Sequence, residues 1–104
     1  MQERIKVIIK EPSERARLVE IDNTLEELQG IIGGYIETVT LASNAVAICD
    51  EEGRWKGLPQ NFCLCGIDFV GTVIFTGADL KTGELTDFPG GLETFRLVFR
   101  EADR

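Results

Sequence analysis

The sequence contains no histidine, and it has only one tryptophan and one tyrosine among its 104 residues. Histidine is the usual general base beside a serine or cysteine nucleophile. Its absence therefore excludes a conventional Ser–His or Cys–His site within one chain. It also removes a common zinc ligand. We expect a protein that is not an enzyme and that carries neither a metal nor another cofactor.

Basic residues are scarce: 11 lysines and arginines face 18 aspartates and glutamates, for a net charge of -7. This balance argues against direct nucleic-acid binding, which needs a Lys/Arg face for the phosphates, and against anionic membrane surfaces. One interpretation is a DNA mimic that presents carboxylates to a DNA-binding enzyme. The simpler one is a charge that keeps the protein soluble.

Long apolar runs are also missing, and none approaches the roughly 20 residues that a membrane-spanning helix needs. The first four residues include an acid and precede no apolar core of signal-peptide length, so we expect a cytoplasmic protein. Three cysteines are an odd number, which disfavours a disulfide framework. With 43% hydrophobic residues, the chain is expected to form one globular domain over residues 1–104.

The clearest element is a short helix with a start signal and a stop signal. Thr24 and Glu27 fit a capping box, although Asp22 and Asn23 are competing caps. Glycines 33–34 suit a left-handed C-cap. The apolar stripe of this helix consists of Leu25, Leu28, Ile31 and Ile32.

Runs rich in β-branched residues predict five strands. Their bounds are 5–10, 16–21, 35–41, 45–49 and 69–76. Short connections pair the first two strands and the next two strands as antiparallel hairpins. Residues 62–67 have no clear assignment, and 80–88 is predicted to be a loop.

Near the C-terminus, apolar residues recur at helical spacing, which predicts a helix from about Pro89 or Leu92 to Ala102. The predicted fold class is therefore α+β. It consists of an antiparallel or mixed sheet of about five strands, with the central helix and the C-terminal helix packed on one face.

Three segments together resemble a family of small uncharacterised proteins from bacteria, phages and mobile elements, known as a domain of unknown function. They are residues 25–37 (Leu-x-x-Leu-Gln-x-Ile-x-Gly-Gly-Tyr-Ile-Glu), 50–61 (Asp-Glu-Glu-Gly, then Gly-Leu-Pro-Gln-Asn) and 71–77 (Gly-Thr-Val-Ile-Phe-Thr-Gly). The resemblance covers residues 5–78. It implies an intracellular accessory protein, phage- or plasmid-borne, without implying an activity. The sequence departs from the family pattern directly after Asn61, where Phe-Cys-Leu-Cys follows.

Cys63 and Cys65 are the most obvious candidates for thiol chemistry. In an extended segment their alternate spacing would put both on one face. Zinc normally takes four nitrogen or sulfur ligands, and Cys49 is the only other cysteine. Metal binding and redox chemistry remain alternatives, but buried structural thiols are the favoured interpretation.

Two other patterns resemble functional sites but favour structural roles. The glycines of 30–34 end a helix, which is the wrong end of the helix dipole for a phosphate. The carboxylates of Glu37 and 50–52 could supply a general acid and base. Nothing in the sequence pairs them in a pocket, so solvated turn and strand residues are the simpler interpretation.

Four residues are the candidates for binding a ligand or partner: Tyr35, Glu37, Trp55 and Asn61. An exposed indole often marks a contact surface, and the tyrosine and glutamate lie where the helix joins the next strand. The leading hypothesis is a protein partner, through self-association or binding to a host protein. A small-ligand or nucleotide pocket near Tyr35 and Asn61 is the alternative, followed by the DNA mimic.

Overall fold

The computed structural model describes residues 3–102, and within them two α-helices and one short 3-10 helix accompany eight strands. In chain order the elements are β1 (Arg4–Lys10), β2 (Arg17–Asp22), α1 (Leu25–Ile32), β3 (Ile36–Ala42), β4 (Ala45–Asp50), β5 (Gln60–Leu64), β6 (Ile67–Val70), β7 (Val73–Asp79), β8 (Glu84–Thr86), α2 (Gly91–Val98) and the 3-10 helix Arg100–Ala102.

Six strands form one antiparallel sheet in the order β2-β1-β7-β4-β3, with β8 paired to β7. Strand β1 pairs with the first half of β7, and β8 pairs with its last residues. Strands β5 and β6 form a separate antiparallel hairpin. The α+β class and the two early hairpins are confirmed, and the sheet has one strand more than expected.

The two helices cover opposite faces of the sheet, so the prediction that both lie on one face is wrong. On one face, Leu28 and Ile32 of α1 pack with a cluster that includes Val7 and Ile74. On the other, Phe95 of α2 belongs to a second cluster, together with side chains of the β5–β6 hairpin. Strand β4 is buried at all six positions. Because the central strands are apolar on both sides, each face needs its own cover.

The ends of α1 follow the sequence signals. The Thr24 hydroxyl accepts a hydrogen bond from the Glu27 amide at 3.1 Å, and Gly33 takes the left-handed conformation at φ 89°. The Gly33 amide donates to the Gln29 carbonyl at 2.7 Å, which closes the last turn. The Glu27 carboxylate accepts from the Asp22 amide at 3.5 Å, rather than from the amide of Thr24 itself.

The predicted strand over 69–76 is interrupted. Gly71 has a φ of +70°, and the chain turns there from β6 into β7. A methyl group at this position would lie 2.7 Å from Leu58 Cδ1, so glycine is needed for both its conformation and its size. The unassigned segment supplies β5, and the predicted 80–88 loop contains β8. The C-terminal helix ends at Val98, and a 3-10 turn continues to Ala102.

All six phenylalanines of the sequence are buried in the cluster on the α2 face. The rings of Phe75 and Phe95 meet edge to face at 4.7 Å between centroids, and Phe62 of the hairpin stacks on Phe75 at 5.6 Å. These contacts fix both α2 and the β5–β6 hairpin to the sheet. No helix within residues 3–102 has the length and apolar character that crossing a membrane requires.

Truncation of Phe95 tests the contribution of this cluster. Phe95 is fully buried, so Phe95→Ala should leave a cavity and lower the free energy of unfolding by about 3–5 kcal/mol. Leu97 lies on the same helix with 80% of its surface exposed, and Leu97→Ala should change stability by less than about 0.5 kcal/mol. Urea denaturation of both variants measures the difference. Equal losses would contradict the assignment of Phe95 to the core.

Candidate functional site

An open cleft of about 500 Å³ lies on the α2 side of the sheet, next to the edge strand β3. We call it the acidic cleft. Its walls come from β3, the end of β4, the turn 51–57 and strand β6. The residues that line it are Glu37, Val39, Cys49, Asp50, Glu51, Glu52, Arg54, Trp55, Gly66, Ile67, Asp68, Phe69 and Val70.

The turn 51–57 is held in one conformation by its own backbone. The Gly53 amide donates to the Asp50 carbonyl at 3.1 Å, and the Lys56 amide donates to the Glu52 carbonyl at 2.9 Å. Gly53 is buried, and an added methyl group would lie 2.9 Å from Val70. The turn is therefore packed against β6 and carries Trp55 at its tip.

Asp50 anchors the turn from below. Only 2% of its side chain is exposed, and it accepts hydrogen bonds from Lys56 Nζ at 2.7 Å and the Glu52 amide at 2.8 Å. Burial raises the pKa of Asp50, but the bonds from Lys56 and Glu52 and the charge of Lys56 outweigh it. The net result is a pKa below the ordinary value. The carboxylate is thus ionised at neutral pH, and its charge is balanced by Lys56.

Gly34 gives this ion pair room. A methyl group there would lie 2.5 Å from Lys56 Nζ and 3.1 Å from Asp50 Oδ2. Lys56 Nζ also lies 3.4 Å from the Gly33 carbonyl at the C-terminus of α1, where a positive charge is favoured. The two glycines therefore have separate roles: Gly33 caps the helix, and Gly34 lets Lys56 approach.

Cys49 lies at the base of the acidic cleft as a protonated thiol. Burial raises its pKa to about 11, with further increases from the carboxylates of Glu37 and Asp50 and a smaller opposing effect of Arg54. A thiolate is the reactive form of cysteine, so Cys49 is a poor nucleophile at neutral pH. Cys49 is the buried cysteine of the three, which favours a structural role for it.

Trp55 and Glu37 both line the acidic cleft. The indole is 94% exposed, which is unusual for so large an apolar side chain. Tyr35 is 66% exposed and lines a neighbouring hollow with Glu52 and Lys56. Three of the four candidate residues thus lie in or beside one region, around the turn 51–57.

Asn61 has a structural environment instead. Its Nδ2 donates to the carbonyls of Lys10 and Gly71, both at 2.8 Å, and its Oδ1 accepts from Lys10 Nζ at 3.1 Å. Lys10 is itself almost fully buried. The Asn61 side chain therefore joins β1, β5 and the Gly71 turn, and it lines neither the acidic cleft nor the hollow beside Tyr35.

Cys63 and Cys65 are exposed, so the expectation that they are buried is wrong. Cys65 has a φ of +52° in the β5–β6 turn, which ends the extended alternation with Cys63. The pKa of Cys63 is raised, by desolvation and by its hydrogen bond to Asp68. Within residues 3–102, no cluster of three or more histidine, cysteine or acidic side chains is placed to hold a metal ion.

Sequence reasoning missed two members of the acidic cleft, Asp68 and Arg54. Asp68 lies on β6, between the unassigned segment 62–67 and the predicted strand 69–76, and it reaches the turn 51–57 only through the tertiary fold. Arg54 Nη2 donates to the Asp68 carbonyl at 2.9 Å and ties the turn to β6. The two residues are 14 positions apart, so their proximity has no local signal in the sequence.

The fold and cleft define a small α+β domain whose site is a surface cleft. The chain belongs to the DUF3846 family, a domain of unknown function whose family model matches residues 5–98. No curated protein and no solved structure matches the chain.

The lowered pKa of Asp50 predicts a pH-dependent contribution to stability. Because the pKa is lower in the folded state, the contribution is complete above the ordinary value of 3.8 and is lost as pH falls through the folded pKa. Asp50→Asn should therefore lower the free energy of unfolding by about 1–3 kcal/mol at neutral pH, with a smaller deficit at about pH 2.5. Urea denaturation at both pH values measures this.

Asp79→Asn is the control, because Asp79 is exposed and an asparagine keeps the oxygen that accepts from the Lys81 amide. It should change stability little at either pH. A deficit of Asp50→Asn that stays constant with pH would show that the Asp50 charge is not responsible.

The three thiols should differ in reactivity. Iodoacetamide should label Cys63 and Cys65 in the folded protein because both are exposed, and it should spare Cys49, which is buried and protonated. Peptide mass spectrometry gives the modified fraction at each site. Labelling in urea is the control and should reach all three cysteines, whereas early labelling of Cys49 in the native state would contradict its environment.

Proposed function

We propose that this protein is a non-catalytic interaction module that binds a positively charged segment of a partner protein in the acidic cleft. The observation that carries the proposal is the exposed Trp55 at the rim of a cleft dominated by carboxylates. The surrounding geometry supports it in two ways, through charge and through an aromatic contact.

Charge in the acidic cleft favours a cation. Five carboxylates line it, against the one guanidinium of Arg54. Lys56 neutralises Asp50, and the other four acids are exposed to solvent. Their like charges raise the local negative potential, which attracts a basic segment and repels a phosphate.

Trp55 supplies the second element of recognition. A lysine or arginine placed over the indole face gains a cation–π interaction, and its aliphatic stem covers apolar surface. Tryptophan and tyrosine are also enriched among the residues that dominate binding energy at protein interfaces. The hydrogen-bonded turn fixes the backbone at Trp55, so little backbone entropy is lost on binding.

The enzyme and nucleotide alternatives have less support. No histidine is present, and the Cys49 thiol is protonated. The nucleotide hypothesis needs a pocket formed by Tyr35 and Asn61, but the Asn61 side chain is occupied by backbone carbonyls and Lys10. An acidic cleft is also a poor environment for a phosphate.

The DNA-mimic hypothesis needs carboxylates arrayed along one elongated face. Exposed acids instead occur on elements that cover both faces of the sheet, such as Glu26 on α1 and Glu93 on α2. The biological setting that we propose is a bacterial cell, in which the protein is an accessory protein carried by a phage or mobile element and acts on a host protein. That setting rests on the family resemblance.

Titration with a fluorescein-labelled octalysine peptide tests the proposal. We expect saturable binding by fluorescence anisotropy, weakened about tenfold in Trp55→Ala through loss of the cation–π contact. The double variant Glu37→Gln/Asp68→Asn should weaken binding by at least as much. The emission of Trp55, the only tryptophan, should shift to shorter wavelength in the wild type as the indole is covered.

The matched control is Asp79→Asn/Glu93→Gln, which removes the same charge from exposed positions outside the cleft. It should leave the affinity nearly unchanged. Equal weakening by both double variants would show that the overall charge of the protein, and not the acidic cleft, determines binding. This would overturn the proposal. Labelled octaglutamate should not bind.

A further inference from the structure

Strand β3 is an edge of the main sheet, and no other strand within residues 3–102 pairs with its outer side. The register pairs Ile36 with Asp50, and the Glu51 amide donates to the Tyr35 carbonyl at 2.9 Å. In an antiparallel ladder the direction of the backbone groups alternates. The groups of Tyr35, Glu37 and Val39 therefore point towards β4, whereas those of Thr38 and Thr40 point outward.

The opposite edge, β2, is protected. The Asn23 amide donates to the Glu3 carbonyl. By the same alternation, the backbone N–H and C=O of Glu20 point outward. Its carbonyl already accepts from Arg4 Nη2 at 3.3 Å, and Arg4 also forms an ion pair with Asp22. Charged side chains of this kind normally block an edge against further strands.

Strand β3 lacks such protection. Its sequence, Ile-Glu-Thr-Val-Thr-Leu-Ala, is rich in β-branched residues and contains no lysine or proline, with Glu37 as its one charge. Glu37 pairs with Cys49 and Val39 with Ala47 across the ladder, so these two side chains lie on the face of the acidic cleft. A strand added beside β3 would therefore place every second side chain at the mouth of this cleft.

We propose that the basic segment of the partner protein binds as a seventh strand, antiparallel to β3. It is an extended segment with a lysine or arginine opposite Glu37 and a β-branched apolar residue opposite Val39. Main-chain bonds to Thr38 and Thr40 provide affinity, and the alternate side chains provide specificity. This inference rests on the proposed function and adds the binding mode and the sequence class of the partner.

Charge decides between a foreign segment and a second copy of the chain as the occupant. Each copy carries a net charge of -7, and a second copy would bring further carboxylates towards the acidic cleft. A basic strand instead pairs with Glu37 and reaches Asp68 and Trp55. The occupant is therefore a partner of opposite charge.

The test uses a fluorescein-labelled, end-capped peptide, Thr-Val-Thr-Val-Thr-Lys-Thr-Lys-Thr. In the antiparallel arrangement its central valine, at peptide position 4, lies opposite Val39 and its first lysine, at position 6, lies opposite Glu37. The amides of its threonines then point towards β3. N-methylation of the threonines at peptide positions 3 and 5, which lie opposite Thr40 and Thr38, should reduce affinity about tenfold or more, because two interstrand hydrogen bonds are lost. N-methylation of the central valine and first lysine, whose amides point away, should have little effect.

A protein variant gives the reciprocal test. Thr38→Pro removes an outward amide and leaves the ladder with β4 intact, so it should weaken peptide binding about tenfold. Leu18→Pro makes the same change at an outward position of β2 and should leave binding unchanged. Circular dichroism and urea denaturation verify that both variants fold. If one of the two variants does not fold, the N-methylated peptides still decide the test.

The outcomes separate the binding mode from the proposed function. Binding that depends on Glu37 and Asp68 but is unaffected by both N-methylation patterns would overturn strand addition. The proposed function would still hold. Binding that ignores the cleft substitutions as well would overturn both. A dimer in analytical ultracentrifugation that Thr38→Pro dissociates would replace the foreign segment by a second copy and would also overturn the inference.

Discussion

The architecture depends on one constraint: the central strands of the sheet are apolar on both faces. Strand β4 is buried at every position, and β7 is buried at all but its last. Water must be excluded from both sides, which α1 does on one face and α2 with the β5–β6 hairpin does on the other. The cover on the second face leaves the end of β3 open, and the acidic cleft lies there between the sheet and the hairpin.

The ion pair between the buried Asp50 and the exposed Lys56 connects this core to the surface. It fixes the turn 51–57 against the end of α1, and Gly34 permits the close approach of Lys56. Several residues that carry the resemblance to the family thus have geometric roles. Gly34 makes room, Gly71 turns the chain, and Asn61 joins β1 to the Gly71 turn. These residues have structural roles, and the proposed recognition belongs to Trp55 and the exposed carboxylates around it.

Local signals in the sequence were sufficient for α1 and its caps, since Thr24 and Gly33 act within a few residues of the chain. They failed where distant contacts decide. The turn at Gly71 packs closely against Leu58, and the placement of the two helices depends on the burial of both sheet faces. At the site, Trp55 and Glu37 were identified as candidates, but Asp68 reaches them only through the fold. Asn61 was a binding candidate because its partner Lys10 is 51 positions away, so the sequence near Asn61 gives no sign of its structural role.

Chemical-shift mapping by nuclear magnetic resonance tests the central claim most directly. Unlabelled octalysine is added to the ¹⁵N-labelled protein, and amide and indole signals are followed. The account predicts perturbations concentrated at Glu37, Asp68 and the Trp55 indole, with small changes at Glu26 and Glu93, which are exposed acids outside the cleft. Perturbations spread evenly over exposed acids, or an unchanged Trp55 indole, would contradict it.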